Sequence, residues 1–98
     1  MKQDVFHSYA DQVAHMFGIK REELFSKSKK RDIVDARYLL YYLCHQRPMR
    51  VSYIKRYMCE NGYDIHHSTI VYGINTTRNR IEKDADYIKA IKSINNSI

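Results

Sequence analysis

Residues that interrupt regular structure are scarce in this chain of 98 residues, which contains one proline, Pro48, and three glycines. That scarcity favours helices with few tight turns between them. No apolar run is long enough to cross a membrane, and the N-terminus does not have the pattern of a secretory signal. We therefore expect one domain over residues 1–98 that acts in the cytoplasm and has no membrane partner.

Metal-binding and catalytic motifs are also missing. The two cysteines, Cys44 and Cys59, do not form a CxxC pair, which excludes a zinc ribbon or redox motif of that type and favours two reduced, partly buried thiols. The histidines show no HExxH spacing, and there is no GxxxxGKS or GxxxxGKT loop for a nucleotide. We predict a protein that is not an enzyme and that binds no nucleotide, metal or other cofactor.

Acidic residues are outnumbered by basic ones, 11 to 17, which gives a formal net charge of +6. Residues 36–59 contain no acid, so this stretch can line a surface that faces phosphates. Such a balance favours a polyanionic partner, and nucleic acid before a membrane. Candidate DNA contacts are Arg37, Arg50, Lys55 and Arg56 in this stretch and Lys27, Lys29, Lys30 and Arg31 in a basic loop before it.

The spacing of apolar residues predicts an all-α fold of five or six helices and no strand. Asp32 is expected to cap a helix that is apolar around most of its circumference, and Asp84 to cap the last helix. Asn61-Gly62 predicts a turn between two of the helices. The predicted helices cover residues 3–17, 21–25, 33–45, 52–59, 67–81 and a segment after residue 84.

The predicted helix 67–81 has one apolar face and one polar face. The residues expected to face the core are Ile70, Ile74, Thr77 and Ile81. No acid occurs in this helix before Glu82, so it can lie in the major groove of DNA with its first turns at the base edges. The preceding short helix and turn complete a helix-turn-helix. The residues expected to face DNA are His66, His67, Ser68, Thr69, Tyr72 and Asn75.

Other interpretations of these residues stay open at this stage. Ser or Thr at a helix start usually acts as a cap, and polar residues opposite an apolar stripe are usually only solvated. The alternative function is a non-enzymatic protein-interaction or virion-associated helical module that binds nucleic acid without sequence choice. The partner would then be an acidic protein or packaged nucleic acid, and binding of an acidic protein partner would depend only weakly on salt.

Two motifs resemble the C-terminal DNA-binding domain, domain IV, of DnaA, the bacterial replication initiator. The segment LFSKSKKRDIVDAR, residues 24–37, resembles the basic loop and following helix of that domain. The segment HHSTI, residues 66–70, resembles the start of its recognition helix, which usually reads Asp-His-Thr-Thr-Val. Residues 13–14 and 17–19 also fit its first helix, so the likeness covers about residues 5–94.

The resemblance implies a six-helix domain related to the Trp-repressor helix-turn-helix, which recognises a short duplex site, the DnaA box. His67, Ser68 and Thr69 would contact bases or phosphates in the major groove. Lys29 stands where the family usually has a minor-groove arginine, and Arg37 matches a basic residue that supports phosphate contact. His66 replaces the usual aspartate, and a neutral histidine can still accept a hydrogen bond from cytosine.

The same resemblance implies a biological setting. In DnaA an ATPase domain precedes this module, and here we expect the module to stand alone. Its expected role is replication-origin recognition, or regulation of replication or transcription, in a bacterial cell. The alternative source is a phage or mobile element, in which case the protein acts in the cytoplasm of the infected host.

Overall fold

Five α-helices and one short 3-10 helix form the part of the chain that the computed structural model describes, residues 1–97 for the backbone and 1–95 for the side chains. No strand occurs in that part, so the all-α prediction is confirmed. None of the helices in residues 1–97 is long and apolar enough to cross a lipid bilayer. The elements are α1 Lys2–Phe17, the 3-10 helix Arg21–Phe25, α2 Arg31–Gln46, α3 Val51–Glu60, α4 His67–Lys83 and α5 Ala85–Ser97.

The predicted helix ends lie within two residues of the observed ones, and the largest differences are at the start of α2 and the end of α4. Helix α2 begins at Arg31, so Asp32 lies inside its first turn and the predicted cap by Asp32 is wrong. An acid in the first turn still favours the helix, because it lies near the partial positive charge of the N-terminus. Asp84 does cap α5, since its Oδ1 accepts a hydrogen bond of 2.9 Å from the backbone N–H of Asp86.

Helix α2 is the centre of the core, as its nearly continuous apolar sequence predicted. Its buried side chains meet α1, the 3-10 helix, α3 and α4. A helix surrounded on most sides can expose only its ends and one narrow strip, so α2 acts as the frame on which the other elements are placed. The buried residues of α2 are Ile33, Ala36, Arg37, Leu39, Leu40, Tyr41, Leu43 and Cys44.

The two cysteines are both free but differ in their surroundings. Cys44 is buried in α2, and burial raises the pKa of its thiol because the thiolate would lose its hydration. Cys59 is exposed on α3, so the prediction of two partly buried thiols is wrong. The helical period explains the difference, because Met58 occupies the buried face of α3 and the next residue points outward.

Helices α2 and α4 pack closely at Gly73. A Cβ atom built at this position would lie 2.6 Å from Cδ1 of Tyr38 and 3.1 Å from Cδ2 of Tyr41, so no larger residue fits without movement. Further along the same interface, Nη1 of Arg80 donates to Oδ1 of Asp35 at 2.8 Å. These two contacts fix both the separation of α4 from α2 and its position along α2.

We expect Gly73→Ala to destabilise the fold by about 1–3 kcal/mol, because the added methyl group overpacks the α2–α4 interface. This cost exceeds the roughly 1 kcal/mol by which alanine is the better helix former. Urea unfolding followed by circular dichroism measures the difference. Asn79→Ala, an exposed position on the same helix, is the matched control. Equal or greater stability of Gly73→Ala would show that the close approach is not a constraint.

Candidate nucleic-acid interface

Helices α3 and α4 and the connection between them, residues 61–66, form the helix-turn-helix. Gly62 ends α3 in a left-handed conformation, with φ of 97°. Its backbone N–H donates to the carbonyl of Cys59 at 3.0 Å, and that of Tyr63 donates to the carbonyl of Met58 at 3.0 Å. This pair of bonds is the Schellman motif, which needs glycine at the left-handed position. The turn signal read from Asn61-Gly62 therefore has a defined geometry.

The second half of the turn is held by the buried side chain of Ile65 and by a hydrogen bond from Lys55. Ile65 is buried, with 7% of its surface exposed, and so inserts the turn into the core. Nζ of Lys55 donates to the carbonyl of Ile65 at 2.7 Å and lies 3.7 Å from Oδ1 of Asp64. Lys55, a predicted phosphate contact, thus also fixes the turn that leads into α4, while part of its side chain stays accessible.

Helix α4 presents the faces that its sequence predicted. Ile70, Ile74 and Thr77 are buried, and Ile81 is half-buried. His66 is the N-cap residue, and no side-chain hydrogen bond caps the helix, so a capping role for Ser68 or Thr69 is not observed. Of the residues expected to face DNA, Thr69 is half-buried, and the exposed ones are His66, His67, Ser68, Tyr72 and Asn75.

Two further residues on the outer face of α4 were not singled out in the sequence. Val71 is 39% exposed on the face of α4 that also carries Ser68, Tyr72 and Asn75, which is the reading face. An apolar side chain at this position suits a thymine methyl group. Arg78 is exposed, and its Nη1 donates to Oδ1 of Asn75 at 3.2 Å. The three-residue spacing of Asn75 and Arg78 was the available signal, since such pairs are neighbours on a helix.

Tyr72 is the largest exposed side chain on the reading face, with 64% of its surface accessible. Its ring meets the ring of Tyr38 edge to face, with 6.0 Å between centroids. This arrangement is favourable for aromatic pairs and fixes the direction of an otherwise free side chain. Because Tyr38 also packs under Gly73, the orientation of Tyr72 depends on the same α2–α4 interface.

The basic loop is ordered by hydrogen bonds of its serines to backbone groups two or three residues away. The hydroxyl of Ser26 donates to the carbonyl of Glu23 at 2.8 Å and accepts from the backbone N–H of Ser28 at 3.3 Å. The hydroxyl of Ser28 in turn accepts from the backbone N–H of Lys30 at 3.2 Å. The serines therefore point inward and order the backbone. All four predicted cations are exposed, namely Lys27, Lys29 and Lys30 in the loop and Arg31 at the first position of α2.

Arg37 is buried, with only 3% of its surface exposed, and this differs from the predicted contact with a phosphate. Its Nε donates to the carbonyl of Leu24 and its Nη1 to the carbonyl of Ser28, both at 2.8 Å. Nη2 donates to the carbonyl of Ser26. The guanidinium also lies over the ring of Tyr63, 4.4 Å from the centroid. Arg37 is thus an internal support that touches both the basic loop and the turn.

The remaining predicted cations lie on the surface of α3. Arg50 is the exposed N-cap residue, and Arg56 is exposed with an ion pair of 3.4 Å to Glu60. A pair of this kind on a helix surface is weak, so Arg56 can exchange it for another anion. A surface groove brings part of α3 next to the start of α4, and its lining includes Lys55, Arg56, Cys59 and His67.

Acidic side chains collect at the other end of α4. Glu82, Asp84 and Asp86 are exposed there, whereas the first turns of α4 carry no acid. Arg80 and Lys83 lie among these acids, so the distinguishing feature of the N-terminal end is the positive end of the helix dipole, which favours a polyanion there. Within the described residues, no three His, Cys, Asp or Glu side chains come together in a group that could hold a metal ion.

Comparison with known proteins gives one match. A family model described as the bacterial DnaA protein helix-turn-helix matches residues 9–76, which include the basic loop, the turn and the first half of α4. No curated protein and no solved structure gives a significant match. The family match supports DNA binding through the helix-turn-helix and agrees with the resemblance of residues 24–37 and 66–70. The chain belongs to the bacterial DnaA helix-turn-helix family.

Proposed function

We propose that the protein binds double-stranded DNA with a sequence preference, as a binding module and not as an enzyme. Helix α4 lies in the major groove, and the basic loop, residues 27–31, reaches the minor groove or a phosphate. The observation that carries this proposal is the outer face of the first turns of α4, which is largely polar, carries no acid and has no side-chain cap at its N-terminal end. A face of this kind can hydrogen-bond to base edges without repelling phosphates.

The reading residues have distinct chemistry. Ser68 can both donate and accept a hydrogen bond, so it fits either an adenine or a guanine edge. His67 lies at the first position of the helix, next to backbone N–H groups that favour a phosphate. Val71 offers a methyl-sized apolar surface for thymine, and Tyr72 extends the face toward the next base pairs. His66 remains the proposed acceptor for cytosine.

Affinity comes mainly from the cations around this face. Arg50, Lys55 and Arg56 on α3, with the loop cations, are the proposed backbone contacts. Each phosphate that such a side chain neutralises releases condensed counterions, which gives a slope of about −0.9 per contact in a plot of log affinity against log salt. Phosphate contacts fix the register of the protein on the duplex, and α4 supplies the sequence preference.

The biological role that we propose is replication-origin recognition or regulation of replication or transcription. This rests on membership of the DnaA helix-turn-helix family together with a proposed preference for a defined duplex. The proposed alternative setting is a phage or mobile element, with action in the host cytoplasm. An acidic protein partner is the alternative that a failure to bind DNA would favour.

Ser68→Ala and Thr69→Ala should each weaken binding to the preferred duplex by about 1–3 kcal/mol, and binding to a scrambled duplex by much less. The preferred duplex is selected from a random pool at about 150 mM salt, close to physiological ionic strength. Fluorescence anisotropy then compares the two duplexes. Thr76→Ala, further along α4, is the control and should bind like the parent. If both variants bind every duplex as the parent does, α4 does not read the sequence.

Lys29→Ala should weaken binding to all duplexes and reduce the salt slope by about 1, because one phosphate-side contact is lost. Lys29→Arg should bind more tightly than the parent to sites with a narrow minor groove, since arginine presents a planar fork. The matched control is Lys89→Ala, an exposed lysine on α5 that lies outside the proposed interface. An unchanged salt slope in Lys29→Ala would remove the loop from the interface.

A further inference from the structure

Arg37 is a buried cation without an acidic partner. Among the described residues, no ion pair includes Arg37, and its hydrogen bonds run to neutral backbone carbonyls. Burying a charge costs free energy unless its donors are satisfied, and a hydrophobic residue of similar size often serves stability as well. Stability of the core alone therefore does not account for an arginine at this position.

The partners of Arg37 come from two separate segments. Four carbonyls, of residues 23, 24, 26 and 28, accept from its guanidinium. Its Cζ also lies over the ring of Tyr63, 4.4 Å from the centroid, in the turn of the helix-turn-helix. The planar fork of arginine suits this double role, because it donates in several fixed directions and stacks on an aromatic face at the same time.

We propose that Arg37 is a positioning residue that locks the basic loop against the helix-turn-helix turn, so that Lys29 and α4 meet DNA as one preformed surface. This proposal rests on the proposed function. A loop that is ordered before binding does not lose conformational entropy when it contacts the duplex. Its contact therefore strengthens binding more than the same contact from a loop that is disordered in the free protein. The loop then adds to the affinity of α4 in the manner of a second site held at a fixed distance.

The central experiment is a double-mutant cycle of Arg37→Lys with Lys29→Ala, measured by anisotropy on the preferred duplex. Arg37→Lys keeps a cation but loses the fork, and we expect it to weaken binding about tenfold, as for loss of one hydrogen bond to a charged group. In the Arg37→Lys background, Lys29→Ala should cost little more, because the loop is already unlocked. Equal effects of Lys29→Ala in both backgrounds would overturn the proposal.

A second cycle uses Arg56→Ala in place of Lys29→Ala as the matched control. Arg56 lies on α3 and pairs with Glu60 of the same helix, so its effect should add to that of Arg37→Lys. Coupling of similar size in both cycles would mean that Arg37→Lys disturbs the whole fold, which contradicts a specific lock. Tyr63→Leu keeps an apolar side chain in the turn but removes the ring, and it should also reduce the effect of Lys29→Ala.

Measurements on the free protein separate failure of this proposal from failure of the proposed function. Backbone order parameters of residues 26–30 should be near about 0.85 in the parent and fall towards about 0.6 in Arg37→Lys, while those of α2 stay unchanged. If the parent binds no duplex, the proposed function fails and the order parameters alone decide whether Arg37 locks the loop. Unchanged order in Arg37→Lys would overturn the lock.

Discussion

The packing of α4 across α2 at Gly73 is the constraint on which the rest of the structure depends. The missing side chain at Gly73 lets the rings of Tyr38 and Tyr41 lie directly under α4. The same Tyr38 ring contacts Tyr72 on the reading face, and from the preceding position in α2 the side chain of Arg37 reaches the basic loop. One buried helix therefore sets the positions of the reading helix and of the loop relative to each other.

The charged residues are distributed unevenly around α4. The loop cations and those of α3 lie near the start of α4, whereas its far end mixes two basic residues, Arg80 and Lys83, with three exposed acids. A duplex is attracted to the cations of the loop and of α3 near the start of α4. Sequence preference then requires that a few side chains of the first turns meet the bases in a single register.

Much of this could be predicted from the sequence, because periodic apolar residues determine helices and faces. The exposed arc of α4, the turn at Gly62 and the cap at Asp84 all follow from local patterns. The burial of Arg37 could not be predicted in this way, since charged residues are exposed in most proteins and its partners are backbone carbonyls, which leave no mark in the sequence. The packing partner of Gly73 could not be predicted either, because a glycine inside a helix indicates close packing but not which residue packs against it.

In the proposed complex, residues 27–31, the turn and the first turns of α4 form one DNA-binding surface. The most direct measurement is the change in backbone amide chemical shifts when the labelled protein is titrated with its selected duplex. We expect the largest changes at residues 27–31, 50–56 and 63–75, with little change in α5. Largest changes on α1 or α5, or changes on α4 without any in the loop, would contradict this expectation.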